Sequence, residues 1–184
     1  KIKIAHIEGG ELSGTVDEMI RHSVSKLSHI HFVTNSAAKK VLINSGENKS
    51  NIFVTGSPDI DTLLKETRPK IGRVKERYGI KYNRYAISFL HPVTTKSKIE
   101  TKHDANIYFD TLLKLKNINL IHFIPNNDDN SKIILEIWKK KLTREKNIKI
   151  LKSMRFEYYL TLLENADFII GNSSSGIMEA PYFK

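Results

Sequence analysis

The sequence predicts an α/β protein with two doubly wound units of parallel sheet, and three observations predict it. Apolar runs of strand length alternate with amphipathic stretches of helix length along the whole chain. Glycines and small polar residues fall between them, where a strand must turn into a crossover helix. The alternation lapses once, after Asp61, for about twenty residues, and a strand-free stretch between two β/α series is where a domain junction belongs.

Taken in order, KIKIAHI alternates as a strand does, and Gly9, Gly10 and Gly14 end it in a loop. TVDEMIRHSVSKL takes up helical spacing, with Val16, Ile20, Val24 and Leu27 expected to face inward. HIHFVTN reads as the second strand, SAAKKVLINSG as a helix with Ser36 at its N-cap and Gly46 past its end, and NIFVTGSP as the third strand. Residues 1–60 make one unit. Beyond them, DTLLKETRPKIGRVKERYGI gives two short helices parted by Pro69 and Gly72. The second series, within 61–184, places strands in YAISFLH, NLIHFIPN, IKILKS and DFIIGNSS, and helices in DANIYFDTLLKL, SKIILEIWKKKL and YYLTLLENA. The chain opens inside a strand and closes at GIMEAPYFK partway along a helix, which suggests a piece of a longer protein.

With 184 residues, 40% of them hydrophobic, the chain is long enough to bury a core. It holds no cysteine, which excludes disulfides and thiolate metal sites and fits a reducing compartment, the cytoplasm by default. No apolar run reaches the ~18 residues of a membrane span, and KIKIAHIEGG is too short and mixed for a secretory signal. The net charge of +10 is lopsided: residues 1–60 carry seven basic and six acidic groups, the rest 23 and 14. Much of the excess lies in WKKKLTREKNIKILK, whose lysines recur at helical period and read as a solvated face. Nucleic-acid binding is not expected, because no groove-reading helix or aromatic RNA motif accompanies the charge.

In a parallel α/β sheet, ligands bind beyond the carboxyl ends of the strands, so the loops after IAHI, ISFL, IHFI and FIIG carry the interest. The first is acidic, since HIEGGELSGTVDE gathers four carboxylates and three glycines in an otherwise basic chain. Asp17 and Glu18 suit a helix start, where the dipole favours negative charge, and Glu11 reads as a solvated loop residue. Glu8 closes an apolar strand against a double glycine, where backbone can approach a ligand; the residues alone leave it open between ligand contact and packing. DFIIGNSSSGIMEA runs a strand into three serines and Gly176, then a helix, and suits either a phosphate or an ordinary serine-capped turn. Glu179, five residues past Ser174, lies far enough along to meet a neutral part of a ligand, such as ribose hydroxyls. His91, held extended by Pro92, is either a rim group or a capped structural histidine. No spacing matches a metal site, a nucleophile elbow or a Walker loop, so neither metal nor cofactor is expected.

Four segments in this order, HIEGGELSGTVDEMIRHSVSKLSHIHFV, VTGSPDIDTLL, HPVTT and IIGNSSSGIMEA, resemble the UDP-N-acetylglucosamine 2-epimerases. GGELSGT is most similar to the hydrolysing, sialic-acid-pathway branch. The resemblance runs the length of the chain and implies two Rossmann-like domains of the GT-B type with the active site in their cleft. Residues 1–60 then end the first domain and bring catalytic carboxylates, while 61–184 form the UDP-binding second domain, cut short at its end. By the same likeness Glu8 and Asp17 match the catalytic acids and His91 the cleft histidine. Ser173 and Ser174, in the loop with Gly176, match the UDP phosphate positions, and Glu179 the ribose one. Arg21 and His22 belong to the signature without an assigned step. PNNDDNS departs from the family's glycine-containing loop, which leaves Asn126 a weaker candidate. A further family carboxylate lies upstream of this sequence, so the 184 residues alone are expected to be inactive. A UDP-sugar substrate and a homodimer are implied, with neither a membrane nor a nucleic acid as partner.

The implied reaction expels UDP from the anomeric carbon as a proton leaves carbon 2, then adds water to the resulting glycal, giving N-acetylmannosamine and UDP. Because no carbonyl adjoins carbon 2, departure of UDP runs ahead and positive charge builds on the ring, which flanking carboxylates stabilise. Acids gathered in a basic chain then have a reason: they face the sugar, while bases and serines face the diphosphate. A nonhydrolysing 2-epimerase, or a UDP-sugar-binding or glycosyltransferase-like domain without elimination chemistry, is the alternative.

Overall fold

The computed structural model describes residues 2–14, 16–64, 67–143 and 145–183. The chain divides into two compact units, residues 1–64 and 65–184.

In the first unit three parallel strands, β1 (Ala5–Ile7), β2 (Ile30–Val33) and β3 (Ile52–Val54), lie in that order, joined by α1 (Val16–Leu27) and α2 (Ser36–Asn44). His6 pairs with His31 and His31 with Ile52, so these side chains and that of Val33 share a face. That face is the buried one: Val33 and Ile52 form a core with Ala38 and Leu42 of α2, and Ser25 of α1 bonds His6 from the same side. Both crossovers step the same way along the sheet, and right-handed connections then put both helices on one face. Among the described residues both connections of this unit therefore lie on one face of its sheet. Ile7 and Phe53, on the opposite face, stand 56% and 48% exposed.

Helix α1 also departs from expectation, since Val16, Ile20, Val24 and Leu27 are exposed and its buried residue is Ser25. A Cβ on Gly9 would lie 2.8 Å from His6 Nδ1 and 3.1 Å from Ser25 Oγ, so the helix meets this surface with a small hydroxyl, and a branched side chain has no room there. The cap of α2 shifts by one residue: extended Asn35, not Ser36, accepts the Ala38 N–H at 2.9 Å. After β3, Ser57 caps α3 (Pro58–Leu63), with Pro58 in the first turn, where its missing N–H costs nothing.

The second unit opens with α4 (Ile71–Tyr78), which takes in Gly72 instead of stopping there. Its four parallel strands are β4 (Ala86–Phe89), β5 (Leu120–Phe123), β6 (Ile148–Leu151) and β7 (Ile169–Gly171), in the order β6-β5-β4-β7. The chain winds outward from β4, then crosses back to lay β7 on its other side. This is the doubly wound pattern the sequence predicts. Helices α5 (Lys98–Lys114) and α6 (Ser131–Leu142) pack over Ala86, Leu120 and Ile148 through Phe109, Leu112 and Ile134, each worth about 1.5–3 kcal/mol on burial. Helix α5 starts ahead of the DANIYFDTLLKL stretch because Ser97 and Glu100 form a reciprocal capping box. Helix α7 (Phe156–Glu164) covers the opposite face, where Tyr159 meets Phe89 and Phe123 edge-on and Tyr85 donates to the Leu162 carbonyl. No described helix is long and apolar enough to cross a membrane.

Candidate functional site

The order β6-β5-β4-β7 reverses direction at β4, and the crevice beyond the carboxyl ends at such a reversal is where open α/β sheets take ligands. A cavity of about 430 Å³ opens there, lined among others by His91, Asn126, Ser173, Ser174 and Glu179. Five residues expected from sequence thus meet in one place. Gly176 does not line it; it sits in α8 (Ser175–Met178) behind the serines.

Strand β7 reaches its neighbour only because position 171 is glycine. A Cβ there would fall 1.8 Å from the Phe89 carbonyl oxygen, and φ is +135°, a backbone that side chains rarely adopt. The next residue, Asn172, clamps the histidine loop with both ends of its amide. Its Oδ1 accepts from His91 N and its Nδ2 donates to His91 O, each at 2.8 Å. The imidazole is fixed in turn. Asn126 N–H donates to Nδ1 at 3.4 Å, so the proton of the neutral ring belongs on Nε2. Burial holds His91 below the usual histidine range, opposed by the Asn126 side chain and the Asp128 charge. The ring stacks on Phe89, which stacks on Phe123 at 4.8 Å, giving the cavity an aromatic floor. The side chain of Asn126 turns to Asp128 at 2.5 Å.

The serine loop departs from a helix-start anion site. Helix α8 is a single short turn, and Ser174 already has helical dihedrals with no side-chain cap bond. The amides of Ser175 and Gly176 bond to Ser173, and those of Ile177 and Met178 to the Ser174 carbonyl. What the loop offers a ligand therefore includes the Ser173 and Ser174 hydroxyls, the amides of residues 175–178 being taken up within the turn. Below them Glu179 is only 8% exposed, and its Oε2 has no hydrogen-bond partner among the described residues. A buried carboxylate oxygen without a donor is costly, and a ligand bringing hydroxyls would repay it. Tyr159 bonds Ser175 beside it, and burial, with the Glu179 charge adding, pushes the phenol up to about 12. Lys152, from the loop after β6, brings a cation to the lining.

In the first unit the carboxyl end of β1 carries the acidic loop. Glu8 has φ +62°, its N–H extends the ladder to Phe32 O at 2.8 Å, and its Oε1 accepts from Ser57 Oγ at 2.5 Å. Gly10 follows at φ +83°, and a Cβ there would lie 2.4 Å from the Ala38 carbonyl oxygen. Glu11 is not merely solvated: Thr34 Oγ1 and Asn35 Nδ2 both donate to its Oε1. Arg21 reaches back from α1 to Glu11 O at 2.8 Å and Ser13 Oγ at 3.2 Å. Glu18 accepts the amides of Gly14 and Ser13 at 2.6 and 2.7 Å, which hold its carboxyl below the ordinary range. His22 lies 3.9 Å from Glu18 on the same helix face. Asp17 is exposed in the first turn of α1. Ser25 Oγ gives its proton to the Arg21 carbonyl, so it accepts from His6 Nδ1, and burial keeps His6 below the usual histidine range.

Asn172, Ser57, Tyr159 and Lys152 were not singled out by sequence reasoning. Asn172, Ser57 and Tyr159 bond residues distant in the chain, and the one local signal, for Asn172 and Lys152, was a polar residue just past a strand.

A parallel α/β chain whose polar side chains gather past the strand ends, around a cavity of ligand size, is a Rossmann-type ligand-binding protein. Residues 1–184 match the family described as UDP-N-acetylglucosamine 2-epimerase, and the chain belongs to that family. It is 47% identical over 182 residues to the UDP-N-acetylglucosamine 2-epimerase of Neisseria meningitidis serogroup B. It is 34% identical over 186 residues to the UDP-N,N'-diacetylbacillosamine 2-epimerase (hydrolyzing) of Legionella pneumophila. These matches cover 98% and 99% of this chain but 47% and 48% of the relatives, so the chain spans about half their length. The crystal structure of UDP-GlcNAc 2-epimerase from Neisseria meningitidis bound to UDP-GlcNAc shares the fold over 98% of this chain and 50% of that one, with a TM-score of 0.74 at 18% identity.

Proposed function

We propose that the protein carrying this chain is a hydrolysing UDP-N-acetylglucosamine 2-epimerase that releases N-acetylmannosamine and UDP, a supply step for sialic acid. The observation that carries this reading is the second unit's cavity, where an unbonded buried carboxylate oxygen, two serine hydroxyls and a neutral histidine meet over aromatic rings. That set suits the parts of a nucleoside diphosphate. Glu179 accepts from ribose hydroxyls, Ser173 and Ser174 donate to phosphate oxygens, and His91 donates its Nε2 proton to the departing diphosphate. The chain's two units then belong to the two Rossmann-like domains of a GT-B enzyme.

The chemistry at the sugar falls to the first unit's acids. UDP leaves carbon 1 with the bonding electron pair, and the carbon-2 proton passes to a base. Water then adds across the glycal double bond, hydroxyl to carbon 1 and a proton to carbon 2 with inverted configuration there. Glu8, fixed at the end of β1, acts as the acid/base, and Asp17 stabilises the positive ring. Identity to a relative named as hydrolyzing supports water as the final acceptor.

Incubating the full-length protein with UDP-N-acetylglucosamine in deuterated water, followed by proton and phosphorus NMR, tests this. Free UDP and N-acetylmannosamine carrying deuterium at carbon 2 are expected. UDP-N-acetylmannosamine as the product would make the enzyme a nonhydrolysing epimerase. Intact substrate, bound but unchanged, would leave a UDP-sugar-binding domain.

A further inference from the structure

We infer that Ser57 is a positioning residue that orients the Glu8 carboxylate from the end of β3; this rests on the role proposed for Glu8. VTGSPDIDTLL stands out in the sequence, yet nothing above gives its serine a task in the reaction. In the structure the Ser57 hydroxyl makes two bonds, and one fixes the direction of the other. Oγ accepts the Asp59 N–H at 3.3 Å as the cap of α3, and its single proton points to Glu8 Oε1 at 2.5 Å. A hydroxyl on a carboxylate at that distance makes a short, charge-assisted bond.

Glu8 has particular need of such a partner. Its backbone lies at φ +62°, in a region disfavoured for residues with a Cβ, and a Gly-Gly turn follows. The bond from Glu8 N to Phe32 O holds the main chain only. Ser57 holds the side chain, tying the end of the first strand to the end of the third across 49 positions of sequence. With Oε1 taken, the plane of the carboxyl group is set, and Oε2 is assigned the proton transfers. Ser57 touches no substrate in this arrangement and acts through Glu8.

The test compares Ser57→Gly, Ser57→Ala, Ser57→Thr and Glu8→Gln in the full-length protein by kcat, UDP affinity and thermal unfolding. Glycine serves a helix N-cap nearly as well as serine does but has no hydroxyl to give, so Ser57→Gly separates capping from positioning. It is expected to lose about 10- to 100-fold in kcat, with UDP affinity and unfolding temperature little changed. Ser57→Ala should lose kcat similarly and also unfold earlier, because the cap goes too. Ser57→Thr, which keeps the hydroxyl, should stay within about threefold of wild type. Wild-type turnover in Ser57→Gly, or a Ser57→Thr as damaged as Ser57→Ala, overturns the inference; the second contrast decides if Ser57→Gly does not fold. Loss in Glu8→Gln with no loss in Ser57→Gly rejects the positioning role alone, whereas wild-type turnover in Glu8→Gln rejects the proposed function itself.

Discussion

At the rim of the first unit Glu8, Glu11 and Glu18 are each held by neighbours, a serine hydroxyl, a threonine and asparagine pair, and two backbone amides respectively. At the rim of the second unit Glu179 is buried with one oxygen unbonded. A carboxylate that moves protons must be fixed before the substrate arrives, because proton transfer depends on tight geometry. A carboxylate that recognises hydroxyls must keep lone pairs in reserve, and the resting protein loses stability for it. On the function proposed for this protein, the contrast separates a prearranged chemical rim from an unsatisfied binding rim.

The strongest way to break this contrast is Glu8→Gln. A fixed acid/base should cost about 10²- to 10⁴-fold in kcat when its proton chemistry is removed, as steady-state release of UDP would measure. Next in size is the acid response of the second unit, whose strand β5 buries His122 without a charged partner among the described residues. Burial lowers His122 to about 3, against an unfolded value near 6.5. Between those limits the unfolded chain binds a proton that the folded one refuses. Stability is then complete above about pH 6.5 and falls as pH drops towards 3, by a few kcal/mol in all. His91, also lowered by burial, adds in this unit with the same sign, and His6 acts with that sign in the first unit. Urea titrations across this range should show the slope, and His122→Asn should flatten it.

Glu179→Met sharpens the comparison from the other side. Replacing the unsatisfied carboxylate by an apolar chain of similar length should raise the stability of the unliganded protein by about 1–3 kcal/mol, read as a higher unfolding temperature. The smallest effect is expected of Asn35→Ala. It removes the cap of α2 and one donor to Glu11, lowering stability by about 1 kcal/mol in a denaturant titration. Turnover should suffer less than in Ser57→Ala, since Thr34 still holds Glu11.

Much of this was legible in the sequence, for a physical reason: strand and helix periods differ, so the β/α alternation shows without tertiary information. SKIILEIWKKKL folds as the helix its spacing predicts. Which face of the first sheet takes α1 and α2 was not legible, because Ile7, Phe32 and Phe53 are as apolar as residues of a buried face. Nor was the inward face of α1, where Ser25 sits close over Gly9. Within the second unit, His91, Ser173, Ser174 and Glu179 were found together because strand ends share a rim. Their supports escaped notice because Asn172 and His91 are 81 residues apart. The serine loop misled in one respect: helical dihedrals at Ser174 draw the amides into the turn.

Calorimetric titration of UDP into the full-length protein and its Glu8→Gln and Glu179→Met variants tests the division between the two rims most directly. The Kd for UDP is expected to stay within about twofold of wild type in Glu8→Gln and to weaken by about 10- to 100-fold in Glu179→Met. Equal weakening in both variants, or loss of affinity in Glu8→Gln alone, would contradict it.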